Sequence, residues 1–288
     1  PTPARGAMVV GPRAVLECSL NHQGGLCMGM HVNEVCINCD RAVADHTQKY
    51  CPNCGQPTPV HRIDWHFLGH ELEHSVLHMD RGILYSLKQL MLRPGPLLRD
   101  YIEGRRGNQV KPLLLITMMS AAVVLLNRLI TGGGFMDEGF SQTEAMGQAL
   151  PAEALRFIAA YRSVSAWIES HFAAFTLMLL PIEALVFWLV FKRYSRLNYP
   201  EWLVVTTLLT VQTFVIWSVL VLVHRWLPQT QVLAGVLGMI YTAASLMQFF
   251  QGRPLGSTLW RTILALAIFS LASSAAVVAA VIAVMWIG

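Results

Sequence analysis

Four cysteines in the N-terminal part of the chain have the type and spacing of metal ligands. They form two Cys-x-x-Cys pairs separated by eleven residues, and Gly55 follows the second pair directly. Each pair presents two sulfurs on one tight turn, so two pairs suit a tetrahedral thiolate site. The glycine supplies the positive φ that such a turn needs. The pattern predicts a zinc ribbon over residues 31–60, with Cys36, Cys39, Cys51 and Cys54 as the metal ligands.

The predicted metal is Zn²⁺ in a structural role, with iron as the alternative. Four cysteine ligands leave no open position for a catalytic water. Metal binding would supply the folding free energy of a segment that is too short to bury a core of its own. A thioredoxin-like redox pair would need one such motif on a strand-to-helix turn. The thin basic surface of the segment disfavours nucleic acid as a partner.

A run of histidines follows the cysteines at helical spacing. Histidines four residues apart can chelate a metal from one helix face, and histidine is the side chain that titrates near neutral pH. Two interpretations stay open: a possible second metal site or pH-sensitive face, and an ordinary solvated polar face. The residues concerned are His66, His70, His74 and His78.

Hydrophobic periodicity predicts the element that carries these histidines. Between residues 63 and 92 the apolar side chains recur at steps of three or four, which predicts an amphipathic helix. Arg93-Pro94 ends it. Residues 61–111 as a whole are expected to form a helical segment at the membrane interface.

The remainder of the chain has the composition of a membrane protein. Hydrophobic residues make up 54% of the sequence and charged residues 13%, whereas soluble domains carry about 25% charged residues. Five segments approach the twenty or so apolar residues that a hydrocarbon core of roughly 30 Å requires: 112–130, 172–191, 201–223, 232–250 and 262–286. The predicted fold is mainly α, a polytopic membrane helix bundle of about five spans at 112–288. Residues 1–30, rich in Pro, Gly and Ala, are expected to be disordered or an over-extended N-terminus, leaving Cys18 and Cys27 without a function.

Basic residues beside the span ends predict the orientation of the chain. Nine lie beside one set of ends and four beside the other, and the more basic side of a membrane protein faces the cytoplasm. The ribbon is then cytoplasmic, and the C-terminus lies on the opposite side. Four of the nine precede the first span and are expected to contact anionic lipid or a partner. They are Arg99, Arg105, Arg106 and Lys111.

Two polar residues interrupt the apolar spans. Glu183 lies in the middle of the second span, and Gln212 lies at similar depth in the third. A carboxylate inside a membrane is costly, so Glu183 is expected to face the bundle or water. A proton or ion path and interhelical hydrogen bonding both stay open for these residues. No motif in the sequence supports an enzyme.

Several short motifs accompany the cysteine pairs in the sequence. They are Tyr50-Cys51-Pro52-Asn53-Cys54-Gly55-Gln56, His78-Met79-Asp80-Arg81-Gly82, Arg93-Pro94-Gly95, the run from Arg99 to Arg106, Lys111-Pro112, Leu180-Pro181 and Tyr199-Pro200-Glu201. Together they resemble the bacterial domain of unknown function family 3667. The resemblance implies a zinc ribbon on a multi-span protein of the bacterial inner membrane, with undetermined activity. Relatives often carry histidines after the glutamate matching Glu201, and this chain has none between Leu203 and Leu209.

The leading expectation for function is a scaffold or docking protein of the bacterial inner membrane. Its N-terminus would be cytoplasmic and its C-terminus periplasmic, and its partners would be the lipid bilayer and another protein or a second copy. One alternative is an ion- or proton-coupled transporter that uses Glu183. Another is a membrane metalloenzyme that uses the His66–His78 face.

Overall fold

A computed structural model gives the fold over most of the chain. It describes residues 34–43, 49–58, 60, 62–74, 82–107, 109–132, 151–226 and 230–287. The expectations for residues 1–30, with Cys18 and Cys27, lie outside the described residues.

The cysteine module consists of two short hairpin-like turns. Strand β1 (Glu34–Val35) pairs antiparallel with β2 (Ala42–Val43), with Glu34 opposite Val43. The second turn is closed by an antiparallel bridge between Tyr50 and Pro57. Each Cys-x-x-Cys pair lies in the turn between two antiparallel paired segments, so the two pairs have equivalent positions in the backbone.

Three short helices follow the module: α1 (Trp65–His74), α2 (Ile83–Leu92) and α3 (Pro94–Ile102). Helices α1 and α2 lie within residues 63–92, where the sequence predicts one amphipathic helix, and residues 75–81 between them lie outside the described residues. The expectation that residues 61–111 form a helical segment at the membrane interface stays a prediction. α2 ends where the sequence predicts. Pro94 has no N–H to donate into α2, but it suits the first position of the next helix.

Within the part of the chain that the structure describes, five longer helices are apolar enough to cross a membrane. They are α4 (Pro112–Thr131), α6 (Phe172–Phe191), α7 (Tyr199–Leu222), α8 (Thr230–Phe249) and α9 (Leu255–Ile287). The predicted fold class is confirmed: the protein is a mainly helical membrane protein with five candidate spans. α9 begins at Leu255, before the predicted 262, so the helix includes Arg261 and its 33 residues extend about 50 Å.

The helix α7 is the centre of the bundle, whereas α9 is peripheral. Of the most apolar 18-residue stretch of each helix, 61% is buried in α7 and 6% in α9. α7 packs against α4, α6 and α8, and its Trp202 lies fully buried beside Phe187 and Phe191 of α6. An additional helix, α5 (Ala152–Ser170), packs against α9 near Val281.

The cysteine module and the three short helices all meet one end of the bundle. Trp65 of α1 stacks near Tyr199, the first residue of α7, with 5.5 Å between ring centroids. The backbone N–H of Val110, just before α4, donates to the Ser86 hydroxyl of α2 at 3.0 Å. α3 packs on α8. The whole N-terminal part described is thus built onto the end of the bundle where α4 and α7 begin and α8 ends.

Candidate metal centre and its attachment to the bundle

The two cysteine pairs adopt the same backbone geometry. In the first turn the N–H of Cys36 donates to Arg41 and the N–H of Asp40 donates back to Cys36, at 2.8 and 2.9 Å. Cys51 makes the matching pair of bonds with Gln56 and Gly55, at the same two distances. Asp40 and Gly55 occupy the equivalent positions with φ of 56° and 70°. Glycine adopts such angles without strain, and aspartate is among the few other residues that do so readily.

The four sulfurs lie together as a metal site requires. The Sγ atoms of Cys36 and Cys54 are 3.6 Å apart and those of Cys39 and Cys51 are 3.7 Å apart. All four lie within 4.8 Å of one another. A tetrahedron with metal–sulfur bonds of about 2.3 Å has edges of about 3.8 Å, whereas a disulfide bond is only about 2.05 Å long. The four cysteines are free thiols in an arrangement that could bind one metal ion.

The protein environment shifts the pKa values of the individual thiols in different directions. Burial raises the pKa of Cys36 to about 12. A hydrogen bond from the backbone N–H of Arg41 lowers the pKa of Cys39 to about 6. Backbone N–H groups also lower the pKa of Cys51. Such N–H groups stabilise thiolates, which is the ionisation state that a metal ligand needs.

Gln56 fastens the module to the segment between α3 and α4. Its side-chain amide donates to the Gly104 carbonyl and accepts from the Arg106 N–H, both at 3.1 Å. The Gln56 side chain is buried. Gly104 has a φ of 98°, and a Cβ there would lie 2.4 Å from Val60. Only glycine therefore lets the module and this segment approach so closely.

A second attachment joins the residues after the module to the start of α7. The Arg62 guanidinium donates to both carboxylate oxygens of Glu201, at 2.6 and 2.9 Å. Asn198 donates from its side chain to the Ile63 carbonyl at 3.0 Å. Asn198 and Glu201 also form a capping box, in which each side chain accepts from the other's backbone N–H. The same two side chains therefore begin α7 and hold the chain that leaves the cysteine module.

Three of the four basic residues expected to contact lipid or a partner also make contacts inside the protein. The Arg99 guanidinium donates to the last carbonyls of α8, those of Gln248 and Phe249. Arg105 pairs with Asp100 and Glu103. Arg106 donates to the Tyr101 carbonyl and lies over the Phe67 ring. The fourth, Lys111, is half-buried at the start of α4. Contact with lipid or a partner stays a prediction for these residues.

The histidine face falls largely outside the described side chains. His66 is exposed on α1. His70 and His74 belong to the same helix, but their side chains lie outside the description, and so does all of His78. A second metal site there stays a prediction.

The two polar residues of the spans both bond between helices. Glu183 of α6 is buried and accepts from the Thr210 hydroxyl of α7 at 3.0 Å. Gln212 of α7 donates to the Leu90 carbonyl at the end of α2, and accepts from Ser245 of α8 at 3.1 Å. The last carbonyls of a helix have no partner within it, so Gln212 satisfies one of them for α2.

Sequence reasoning missed the residues that attach the module to the bundle. Gln56, Arg62 and Asn198 have no periodicity or spacing of their own. One signal was available: an Asn followed three residues later by a Glu, at the head of an apolar run, is a capping-box pattern. It could have identified the start of α7 at Tyr199, two residues before the predicted span.

The fold and the cysteine cluster together define a polytopic helical membrane protein with a four-cysteine metal-site candidate at one end of its bundle. Residues 80–123 match the family described as "Protein of unknown function (DUF3667)". The match covers the end of the 75–81 segment, α2, α3 and the first half of α4, and it confirms the resemblance found in the sequence. Neither a curated protein nor a solved structure matches the chain.

Proposed function

We propose that this protein is a membrane-anchored docking platform, in which a zinc-bound ribbon is held rigidly against the bundle and presents its outer face to a protein partner. The observation that carries the proposal is the pair of attachments made by two buried side chains, Gln56 and Glu201. Because the two attachments lie on different elements, together they prevent the module from rotating on the bundle as well as from separating from it. A module on a flexible tether would need neither attachment.

The outer face of the module has the composition of a contact surface. Val35, Ile37 and Tyr50 are 53%, 36% and 63% exposed. Exposed aromatic side chains such as that of Tyr50 are enriched at protein interfaces and among their energetic hot spots. The partner is another protein or a second copy of this chain.

Zinc is the metal that the donor set favours, because four thiolates at these separations suit a closed tetrahedral site. The module would face the cytoplasm, in keeping with the basic residues at this end of the bundle, and reducing conditions there would keep its thiols available. The membrane would be a bacterial inner membrane, as the family resemblance implies.

Site-specific photo-crosslinking in native membranes tests the docking role. A photoreactive residue at Tyr50 should give a discrete crosslinked species whose mass distinguishes a partner from a dimer of this chain. The species should disappear with Cys54→Ser, which removes a metal ligand, and with Ile37→Asp, which replaces a surface side chain that is not itself a predicted ligand. A photoreactive residue at Trp226, exposed beyond the other end of α7, is the matched control. A crosslink that survives both substitutions would contradict the proposal.

A second candidate function, proton-coupled transport, is favoured by Glu183. This carboxylate is buried, and its one hydrogen bond among the described residues comes from the neutral Thr210 hydroxyl. A carboxyl group held in a span without a cation is able to bind and release a proton along a path. Glu183→Gln should abolish proton flux in proteoliposomes, and Glu153→Gln, on the exposed start of α5, should not. Equal flux in the wild type and Glu183→Gln would exclude the role.

A further inference from the structure

A polar cleft lies beside the cysteine module, between the two helices α2 and α3. It has a volume of about 220 Å³. Its lining includes the polar residues Asn38, Arg93, Asp100, Arg105 and Gln109. Three structural units contribute to it: the first cysteine turn, the α2–α3 pair, and the segment leading into α4.

The cleft carries one cation that nothing in the described structure neutralises. Two guanidinium groups line it, those of Arg93 and Arg105. Arg105 is paired with Asp100 at 2.6 Å and with Glu103 at 2.5 Å. Arg93 has neither an ion pair nor a side-chain hydrogen bond within the described part of the chain. An anion entering the cleft would therefore meet one free guanidinium, the side chain that best matches phosphate oxygens.

Two further polar atoms of the lining lack a partner. Nδ2 of Asn38 and Oε1 of Gln109 are buried and make no hydrogen bond to any described group. Burying a donor or an acceptor without a partner is costly, so the two unpartnered atoms in one cleft favour a polar ligand there. Asn38 would donate to an oxygen of it, and Gln109 would accept from a hydroxyl.

The cleft adjoins the end of a candidate membrane span. α3 packs so closely on the end of α8 that a Cβ on Gly95 would lie 2.3 Å from Cβ of Gln248. On the neighbouring helix, Leu84 and Leu92 are 81% and 67% exposed. Exposed leucines beside an arginine are typical of a helix in the interfacial layer, where acyl chains cover the leucines and the cation reaches the headgroups.

From these observations we infer that the cleft binds a phosphate group at the membrane surface, with Arg93 as its cationic ligand and Asn38 and Gln109 as its neutral ones. The phosphate of an anionic lipid headgroup is the source that the exposed leucines favour. Its glycerol hydroxyl would suit Gln109. This inference does not rest on the docking role, since it concerns a different surface.

Native mass spectrometry of the full chain, released from nanodiscs of mixed phosphatidylglycerol and phosphatidylcholine, tests the inference. Arg93→Gln should lower retention of phosphatidylglycerol by about tenfold, because it removes a charge-assisted contact. Lys88→Gln removes an equal charge from an exposed position of α2, the helix that ends just before Arg93, and should change retention by less than about twofold. Gln109→Leu should reduce retention without changing the net charge.

The outcomes divide clearly. If Arg93→Gln retains the lipid as the wild type does, or if Lys88→Gln loses it equally, the cleft is not a phosphate site. A soluble source is distinguished by titrating glycerol phosphate in detergent. Arg93-dependent binding of glycerol phosphate without lipid retention would support the phosphate site and assign it to a soluble ester. An unchanged thermal midpoint in Arg93→Gln confirms that the variant is folded.

Discussion

Arg62 and Glu201 are 139 positions apart in the sequence, and their side chains are joined by two hydrogen bonds. The Glu201 side chain is 3% exposed and that of Arg62 is 55% exposed. Glu201 raises the pKa of the Arg62 guanidinium above its ordinary value through this hydrogen bonding. The pair connects the chain leaving the cysteine module with the first turn of the central helix, so the position of the module depends on it.

Replacing Arg62 should loosen the module without unfolding the bundle. Arg62→Ala leaves the Glu201 carboxylate buried and supported only by the cap of α7, at a cost of about 2 kcal/mol. We expect faster proteolysis between residues 43 and 62 while the spans stay protected. Arg41→Ala, which removes an exposed arginine of the module, is the control. Equal cleavage rates in the two variants would show that the pair does not hold the module.

Two glycines should respond in opposite ways to alanine. Gly95 is buried where α3 meets α8, and a Cβ there has no room beside Gln248. Gly95→Ala should destabilise the protein by about 1–3 kcal/mol through overpacking. Gly69 lies within α1 with nothing within 4 Å of an added Cβ, so Gly69→Ala should be neutral or stabilising by up to about 1 kcal/mol. Thermal unfolding in nanodiscs measures both, and a stable Gly95→Ala variant would contradict the close packing.

The four cysteines should act as one site. Replacing any one of the four with serine should lower bound metal from one equivalent per chain to almost none, because a three-thiolate site loses most of its affinity. The variants are Cys36→Ser, Cys39→Ser, Cys51→Ser and Cys54→Ser. Cys18→Ser and Cys27→Ser should leave the metal in place. Elemental analysis of the purified variants measures this. Metal retained in Cys54→Ser, or lost in Cys27→Ser, would identify a different ligand set.

Metal affinity should depend on pH with a change of slope near pH 6. Ligand thiols must lose their protons when the metal binds. Cys36, with a pKa of about 12 in the metal-free protein, releases a proton on binding across the whole accessible range. Cys39, with a pKa of about 6, is already ionised above pH 6 and releases a proton only below it. Affinity therefore rises with pH throughout, and more steeply below pH 6. Chelator competition between pH 5 and 8 measures the slope, and a single slope would contradict the low pKa of Cys39.

Gln212→Leu should release the end of α2 from the bundle. The substitution removes the donor to the Leu90 carbonyl and one acceptor for the Ser245 hydroxyl. The Ser245 hydroxyl keeps the Tyr241 carbonyl as an acceptor, so the Leu90 carbonyl is the buried group left without a partner, at a cost of about 1–3 kcal/mol. Hydrogen exchange of the last turn of α2 should accelerate, while the middle of α6 stays protected. Ser245→Ala is the control, because it affects only one of the two bonds. Unchanged exchange in Gln212→Leu would show that packing alone holds α2.

The spans and the metal ligands could be predicted from the sequence because both depend on local patterns. A span needs only a continuous apolar stretch of a certain length, and α4 and α6 lie within a residue of the predicted bounds. A cysteine turn needs only two sulfurs at fixed spacing, followed by a residue that accepts positive φ. Gly55 could be predicted as the residue with positive φ, because glycine is the usual residue at such positions. Asp40 has the same role in the first turn but could not be predicted, because aspartate occurs in many other conformations.

By contrast, the tertiary structure alone decided which polar side chains meet. Nothing local to Gln56 or Arg62 indicates Gly104 or Glu201 as a partner, and nothing near Arg93 indicates that Asn38 would face the same cleft. The sequence by itself determined five apolar helices and a four-cysteine turn pair, because hydrophobic length and ligand spacing act within single segments. Only the packed structure decided how they are joined, because a hydrogen bond forms wherever the fold brings donor and acceptor together, whatever their separation in sequence.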